Sequence, residues 1–156
     1  MGVPRVGLGF DVHPRDRTRA LWLGGIHFEG EDGLAGHSDG DAVCHALGDA
    51  LLGAAGLGDV GTHFPDTDPA TAGIAGLSLL ERTVDMLAEA GLAPSSCDLT
   101  VICEHPAIAP KREEMRAALA GALGLGVGSV SVKATRPEGL GLAGDGAGCL
   151  ALAVVA

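Results

Sequence analysis

The sequence predicts a single α+β domain over residues 1–156, with helices layered on one face of a mixed β-sheet. Segments with the alternating or continuously apolar texture of strands are interleaved with segments that repeat an apolar residue every three to four positions. A chain of 156 residues fits one domain with room for a sizeable core. The apolar run 148–156 and the strand-like VGLGF also leave the sheet's other face in need of cover, so that face is expected to pack against another subunit.

In chain order, PRVGLGFDVH reads as a strand and ALWLGGIHF as a second, Gly-interrupted strand. A helix is predicted over 39–55, because Ser38 followed three residues later by Asp41 has the form of a capping box ahead of an apolar-rich run. GDVGTHFPDTDPA is a turn-rich loop. LSLLERTVDMLAEAG carries a helical stripe of Leu77, Leu80, Val84, Leu87 and Ala88, ended by Gly91. CDLTVICE is a strand, HPAIAP a two-proline turn, and KREEMRAALAGALG a third amphipathic helix with Pro110 before its first turn. SVSVKAT alternates as a strand, RPEGLGLAGDGAG is a loop, and CLALAVVA closes the chain as a buried strand.

Composition narrows the function. Hydrophobic residues make up 47%, yet there are three Phe, one Trp and no Tyr, so the core must be largely aliphatic. The net charge is −10 and the lysines are Lys111 and Lys133, which leaves no basic footprint for nucleic acid. A phosphate ligand would need metal ions, backbone N–H groups or helix N-termini to hold it. Cys44, Cys97, Cys103 and Cys149 form no C-x-x-C pair and read as small buried hydrophobes, as in a reducing cytoplasm. No secretory leader pattern opens the chain and no apolar run reaches the length of a membrane span, so neither export nor membrane association is expected.

Three segments concentrate polar residues. In HSDGDAVCH, His45 lies one turn beyond Asp41 and one turn before Asp49, and a carboxylate one turn away is a common means of orienting a metal-ligating imidazole; the same pattern also describes an exposed polar face at a helix start. In DVH, Asp11 and His13 share one side of a strand, as they would at any strand end dipping into solvent. Asp11, His13 and His45 together make a ligand set suited to zinc with one open position. In GDVGTHFPDTD, Asp59, Asp66 and Asp68 are either hard-cation ligands or turn caps, and His63 is a base or merely exposed. In KATRPEG, Lys133, Thr135, Arg136 and Glu138 would hold phosphate and magnesium, or would form a surface turn.

GFDVH, AGHSDGDAVCHALGDALLGAAGLGDVGTHFPDTDP, and VKAT followed by E, LG and G resemble the 2-C-methyl-D-erythritol 2,4-cyclodiphosphate synthases of the non-mevalonate isoprenoid pathway. The resemblance runs from about residue 5 to the C-terminus. It implies a homotrimer with active sites between subunits. The implied reaction is closure of 4-diphosphocytidyl-2-C-methyl-D-erythritol 2-phosphate to the cyclic diphosphate with release of CMP. Asp11, His13 and His45 are implied as zinc ligands, Glu138 as the ligand of Mg2+ or Mn2+, and Asp49 as the partner that orients His45. His37, Thr135 and Arg136 are implied at the reacting groups, orienting them with no acid–base role. Substrate contacts are implied for Asp11, Val12, His13, His37, Ser38, Asp59, Val60 and Gly61, and for the turn Phe64, Pro65, Asp66, Thr67 and Asp68. The neighbouring subunit would supply a cytidine pocket from Cys103, Glu104, His105, Pro106, Ala107, Ile108 and Ala109 with Ala134, Thr135, Arg136 and Pro137.

The chain departs from that pattern at Arg136, where a second Thr is usual, and at Ala107, where Lys is common. It also carries Leu142, Asp145 and Ala147 where many relatives have Phe, Arg and Glu. Two other functions would use the same residues: a zinc phosphohydrolase attacking with bound hydroxide, and a metal-binding trimeric scaffold without catalysis.

Overall fold

Strand β1 (Arg5–Leu23) runs 19 residues without a break, because it changes partners midway instead of ending. Arg5 to Pro14 pair antiparallel with β5 (Gly146–Val155), and Arg15 onward pairs antiparallel with β2 (Ile26–Leu34). The hand-over falls at Pro14, which has no N–H to give to a ladder. The strand PRVGLGFDVH and the ALWL half of the second predicted strand are therefore one, and Gly24–Gly25, read as an interruption, is a hairpin turn that leaves IHF to open β2. Both glycines have positive φ, 60° and 77°, as a two-residue turn between twisted antiparallel strands requires. This computed structural model describes residues 2–141, 143 and 145–156; the departure at Leu142 lies outside them.

The sheet is completed by β3 (Pro94–Cys103) and β4 (Val130–Thr135), in the order β2-β1-β5-β3-β4. β3 and β4 pair parallel, joined through helix α4 (Arg112–Leu123), while β3 and β5 pair antiparallel, so the sheet is mixed. The remaining helices are α1 (Ala42–Ala55), α2 (Val60–His63) and α3 (Gly76–Glu89). α2 lies inside the segment read as a loop, and a 3-10 turn at Pro69–Thr71 spans its end. Asp59 and Asp68 cap them, accepting from the Thr62 and Ala70 N–H groups at 2.8 Å each.

α1 begins three residues later than the capping-box reading predicts. Asp39 accepts from the Asp41 and Gly76 N–H groups, and Gly40 sits at φ 79°, so the chain there is not helical. Asp41 is the N-cap, with Oδ1 accepting from Val43 N–H and Cys44 N–H at 3.1 and 3.0 Å. The same fully buried carboxylate accepts from Gly24 N–H and Gly25 N–H at 2.8 and 2.7 Å. One side chain thereby ties the β1–β2 turn to the start of α1.

α1 then lies unusually close to β1. A Cβ on Gly7 would come within 1.9 Å of the Ala50 carbonyl oxygen, and one on Gly9 within 1.8 Å of that of Ala46, so glycine is required at both. Leu47, Leu51, Leu80, Leu99 and Met115 are fully buried in the core beneath. Along β5, Cys149, Ala151, Ala153 and Val155 are buried, whereas Leu150 and Leu152 are 42% and 45% exposed on the opposite face. All four cysteines are buried and unpaired. Among the described residues, no helix is long and apolar enough to cross a membrane.

Candidate functional site

The close approach of α1 to β1 brings His45, in the first turn of the helix, onto Asp11 and His13. Asp11 Oδ2 lies 2.6 Å from His13 Nε2 and 3.3 Å from His45 Nδ1, and the two imidazole nitrogens are 3.2 Å apart. Among the described residues this is the one group of three such side chains close enough to share an ion, with all three donor atoms within 4.8 Å. One carboxylate and two imidazoles suit a divalent metal ion with further positions left for a ligand.

The outer nitrogens are engaged as well. His13 Nδ1–H donates to the Ala35 carbonyl at 2.6 Å, which leaves the Nε2 lone pair of the neutral ring free to ligate. His45 Nε2 lies 2.7 Å from Ser38 Oγ. Asp49 therefore does not hold His45, contrary to the expectation from helical spacing. The ring turns toward the 36–38 segment, and Asp49 Oδ1 instead accepts the Val60 N–H at 2.7 Å, fixing the start of α2.

Burial and proximity act in opposite directions on the charges. Burial alone would raise the Asp11 carboxyl, but hydrogen bonds from His13 and His45 outweigh it and hold the group below its usual range. Burial would lower His13, but the hydrogen bond to Asp11, the charge of that carboxylate and the bond to the Ala35 carbonyl together outweigh it and raise the imidazole. Asp49 is pushed up by burial, with the neighbouring Asp11 and Asp59 adding to the shift.

The triad forms one wall of a cavity of about 500 Å³. His37, Ser38, Asp49, Asp59, Val60, Gly61, Phe64 and Asp66 also line it, as do Ala35, Gly36, Thr71, Ile74 and Leu79. Four aspartates and no lysine or arginine line this space, so the carboxylates repel an anionic ligand and a cation held at the triad would offset that repulsion. Val12 points to the opposite, exposed face of β1, as alternation along a strand dictates. Pro65, Thr67 and Asp68 stand outside the lining, although the Asp68 carbonyl accepts from His37 Nε2 at 3.0 Å. His63 is a structural tie, with Nε2 donating to the Leu57 carbonyl at 2.6 Å.

A second cavity, of about 240 Å³, gathers Cys103, Pro106, Ala107, Ile108 and Ala109 with Ala134, Thr135 and Arg136, and adds Arg112. Two segments some thirty residues apart in sequence meet there because β3 and β4 are parallel neighbours that end side by side. Glu104, His105 and Pro137 do not line it: Glu104 accepts from Gly139 N–H at 3.0 Å, and His105 Nδ1 lies 3.1 Å from Glu31. Lys133 also stands apart, 2.5 Å from Asp98 on β3. Glu138, at φ 54°, lines neither cavity and stands apart from the triad. His37 is likewise separated from Thr135 and Arg136, which face different cavities.

A family model described as the YgbB family matches residues 4–156. The chain belongs to the YgbB family. It is 53% identical over 149 residues to the bifunctional enzyme IspD/IspF of Anaeromyxobacter sp. (strain Fw109-5), covering 96% of this chain but 38% of that protein. It is 51% identical over 149 residues to the 2-C-methyl-D-erythritol 2,4-cyclodiphosphate synthase of Symbiobacterium thermophilum, covering 96% of this chain and 95% of the relative. The chain thus spans little more than a third of some relatives and nearly all of others. A solved structure of 2C-methyl-D-erythritol-2,4-cyclodiphosphate synthase in a CDP-bound form superposes with a TM-score of 0.89 at 32% identity, over 97% of this chain and 100% of that one.

The geometry brings in residues that sequence patterns alone do not single out in this YgbB-family chain. Ala35 acts through its carbonyl, which leaves no side-chain signal. Gly36 abuts the His13 ring, where a Cβ would come within 3.3 Å. Arg112 looks like one more polar residue at a helix start until β3 and β4 bring its cavity together.

Proposed function

We propose that this chain is a 2-C-methyl-D-erythritol 2,4-cyclodiphosphate synthase, one domain over 1–156, working as a homotrimer in the cytoplasm. The observation that carries the reading is the Asp11–His13–His45 triad at the wall of an acidic cavity, in a chain of this family. In the reaction, an oxygen of the substrate's 2-phosphate bonds to the β-phosphorus of its own diphosphate. The bond from that phosphorus to the bridging oxygen breaks, and CMP leaves with the electron pair.

Asp11, His13 and His45 would hold Zn2+, and Glu138 would hold Mg2+ or Mn2+. When bound, these cations supply the positive charge that neutralises crowded phosphoryl oxygens. The chain's own residues supply orientation, from which an intramolecular attack gains most. His37 and Ser38 on one wall, and Asp59 to Gly61 with Phe64 to Asp68 on the other, would fix the methylerythritol phosphate. Cys103 to Ala109 and Ala134 to Pro137 of a neighbouring subunit would seat the cytidine, with Thr135 and Arg136 directed at the diphosphate. A trimer reconciles two cavities that one chain keeps apart. No general base is needed, since the attacking phosphate is already an anion. The cytoplasm suits four unpaired, buried cysteines.

The test is incubation of the protein with the cytidyl substrate, Zn2+ and Mg2+, followed by phosphorus NMR and mass analysis. CMP together with a cyclic diphosphate is expected. An open-chain phosphate would instead make the protein a phosphohydrolase, and no turnover would leave the binding scaffold.

A further inference from the structure

Arg19 lines neither cavity, yet its guanidinium reaches the segment on which the triad depends. One terminal nitrogen donates to the Gly36 carbonyl at 2.6 Å and the other donates to the Ser38 carbonyl. Between and beside those two carbonyls sit three contacts already described: Ala35 O with His13, His37 with Asp68 O, and Ser38 Oγ with His45. We propose that Arg19 is a positioning residue for the metal site, its forked guanidinium holding the Ala35–Ser38 segment in the form that presents both imidazoles. The proposal rests on the metal reading above.

The local structure of β1 is built to aim this side chain. The ladder with β2 is regular at Asp16↔Gly33 but resumes at Ala20↔Asp32, so three residues of β1 bulge out against none of its partner. Such bulges redirect side chains beside functional sites. This one is braced by Asp16 Oδ1, which accepts from the Thr18 N–H and hydroxyl at 2.9 and 2.6 Å. Arg19 is its last residue. Two acceptors two residues apart match a planar fork, whereas a single ammonium offers a point charge on a flexible stem.

The experiment titrates Zn2+ alone into metal-free protein against a competing chromophoric chelator, for the unchanged chain, Arg19→Met and Arg19→Lys. Thermal melts of the metal-free forms are run alongside. Arg19→Met keeps the stem without a donor, and its zinc affinity should fall about 10–100-fold, the usual effect of removing support behind a metal ligand. Arg19→Lys should recover part of that loss and stay below the unchanged chain. A purely structural role would lower the metal-free melting temperature and leave the affinity of the folded protein alone, so Arg19→Met binding Zn2+ normally overturns the proposal. Should Arg19→Met not fold, Arg19→Lys decides it, and full affinity there overturns the fork. If the unchanged chain takes up no Zn2+, the metal reading fails and the role of Arg19 falls with it.

Discussion

Both ring nitrogens of His45 are committed, Nδ1 toward Asp11 and His13 and Nε2 toward Ser38, and this decides which neighbouring substitutions the metal site feels. Ser38→Ala removes the group that orients the ring and should weaken Zn2+ binding about 10–100-fold. Asp49→Asn keeps an oxygen for the Val60 N–H and should leave zinc affinity almost unchanged; a loss equal to that of Ser38→Ala would restore Asp49 as the orienting partner. The charges of Asp11 and His13 give the site a pH dependence with two opposite signs. His13 is raised above its ordinary 6.5, so its contribution to folding is full below that pH and is lost as pH rises through the folded value. Asp11 is lowered below 3.8, so its contribution is present above that pH and lost as pH falls through the folded value. The metal-free protein therefore gains most from the pair between about pH 4 and 6.5. A ligating imidazole must be deprotonated, so zinc affinity should rise with pH over the range in which this contribution fades. Melts of the metal-free protein in parallel with zinc titrations from about pH 5 to 8 check it. A zinc affinity that stays flat across this range would show that His13 gives up no proton when the metal binds.

At the scale of elements, the triad exists because α1 can approach β1 over two glycines. Gly9→Ala would bring a methyl carbon to 1.8 Å from the Ala46 carbonyl oxygen, so the helix must back away. Overpacking of this kind costs about 1–3 kcal/mol, or a fall in melting temperature of roughly 2–4 °C per kcal/mol at this chain length. The same displacement carries His45 away from Asp11 and His13, so zinc affinity should fall along with stability. Gly53→Ala, on the same helix with nothing within 4 Å of the added carbon, is the control and should leave zinc affinity unchanged. Equal zinc affinity in both variants would separate helix position from metal binding. Much of this was legible in the sequence, because strand alternation puts Asp11 and His13 on one side and helix periodicity presents His45 from an apolar run. What was not legible is non-local. β1 outlasts its first partner only because β2 takes over at Arg15. Whether Ser38 or Asp49 meets His45 depends on which way a ring turns, and spacing allows both. Arg19 acquires its role from a bulge whose register is set by a second strand.

For the whole molecule, the decisive feature is the sheet face away from α1. Val6, Leu8 and Phe10 on β1 are 65%, 63% and 46% exposed, and they stand opposite Val154, Leu152 and Leu150 on β5. A contiguous apolar ladder of this kind on a chain of net charge −10 marks an interaction surface, since scattered apolar residues would not align across two strands. In the proposed trimer this face is covered, and each subunit's triad cavity is completed by its neighbour's second cavity. The unchanged protein should sediment at three times the 15.5 kDa chain mass. Leu8→Asp combined with Leu152→Asp sets two carboxylates opposite each other on paired strands, where burial against another subunit would strip their hydration. Both positions are open to water in the isolated chain, so the double variant should remain folded and sediment as a single chain. Its zinc affinity should be retained, because Asp11, His13 and His45 belong to one chain, while turnover should be lost because Cys103 to Ala109 and Arg136 no longer face them. Sedimentation, zinc titration and the CMP assay on the same preparation separate these effects. A folded, zinc-binding monomer that still releases CMP at the rate of the unchanged protein would place the whole active site within one subunit and refute the shared-site arrangement.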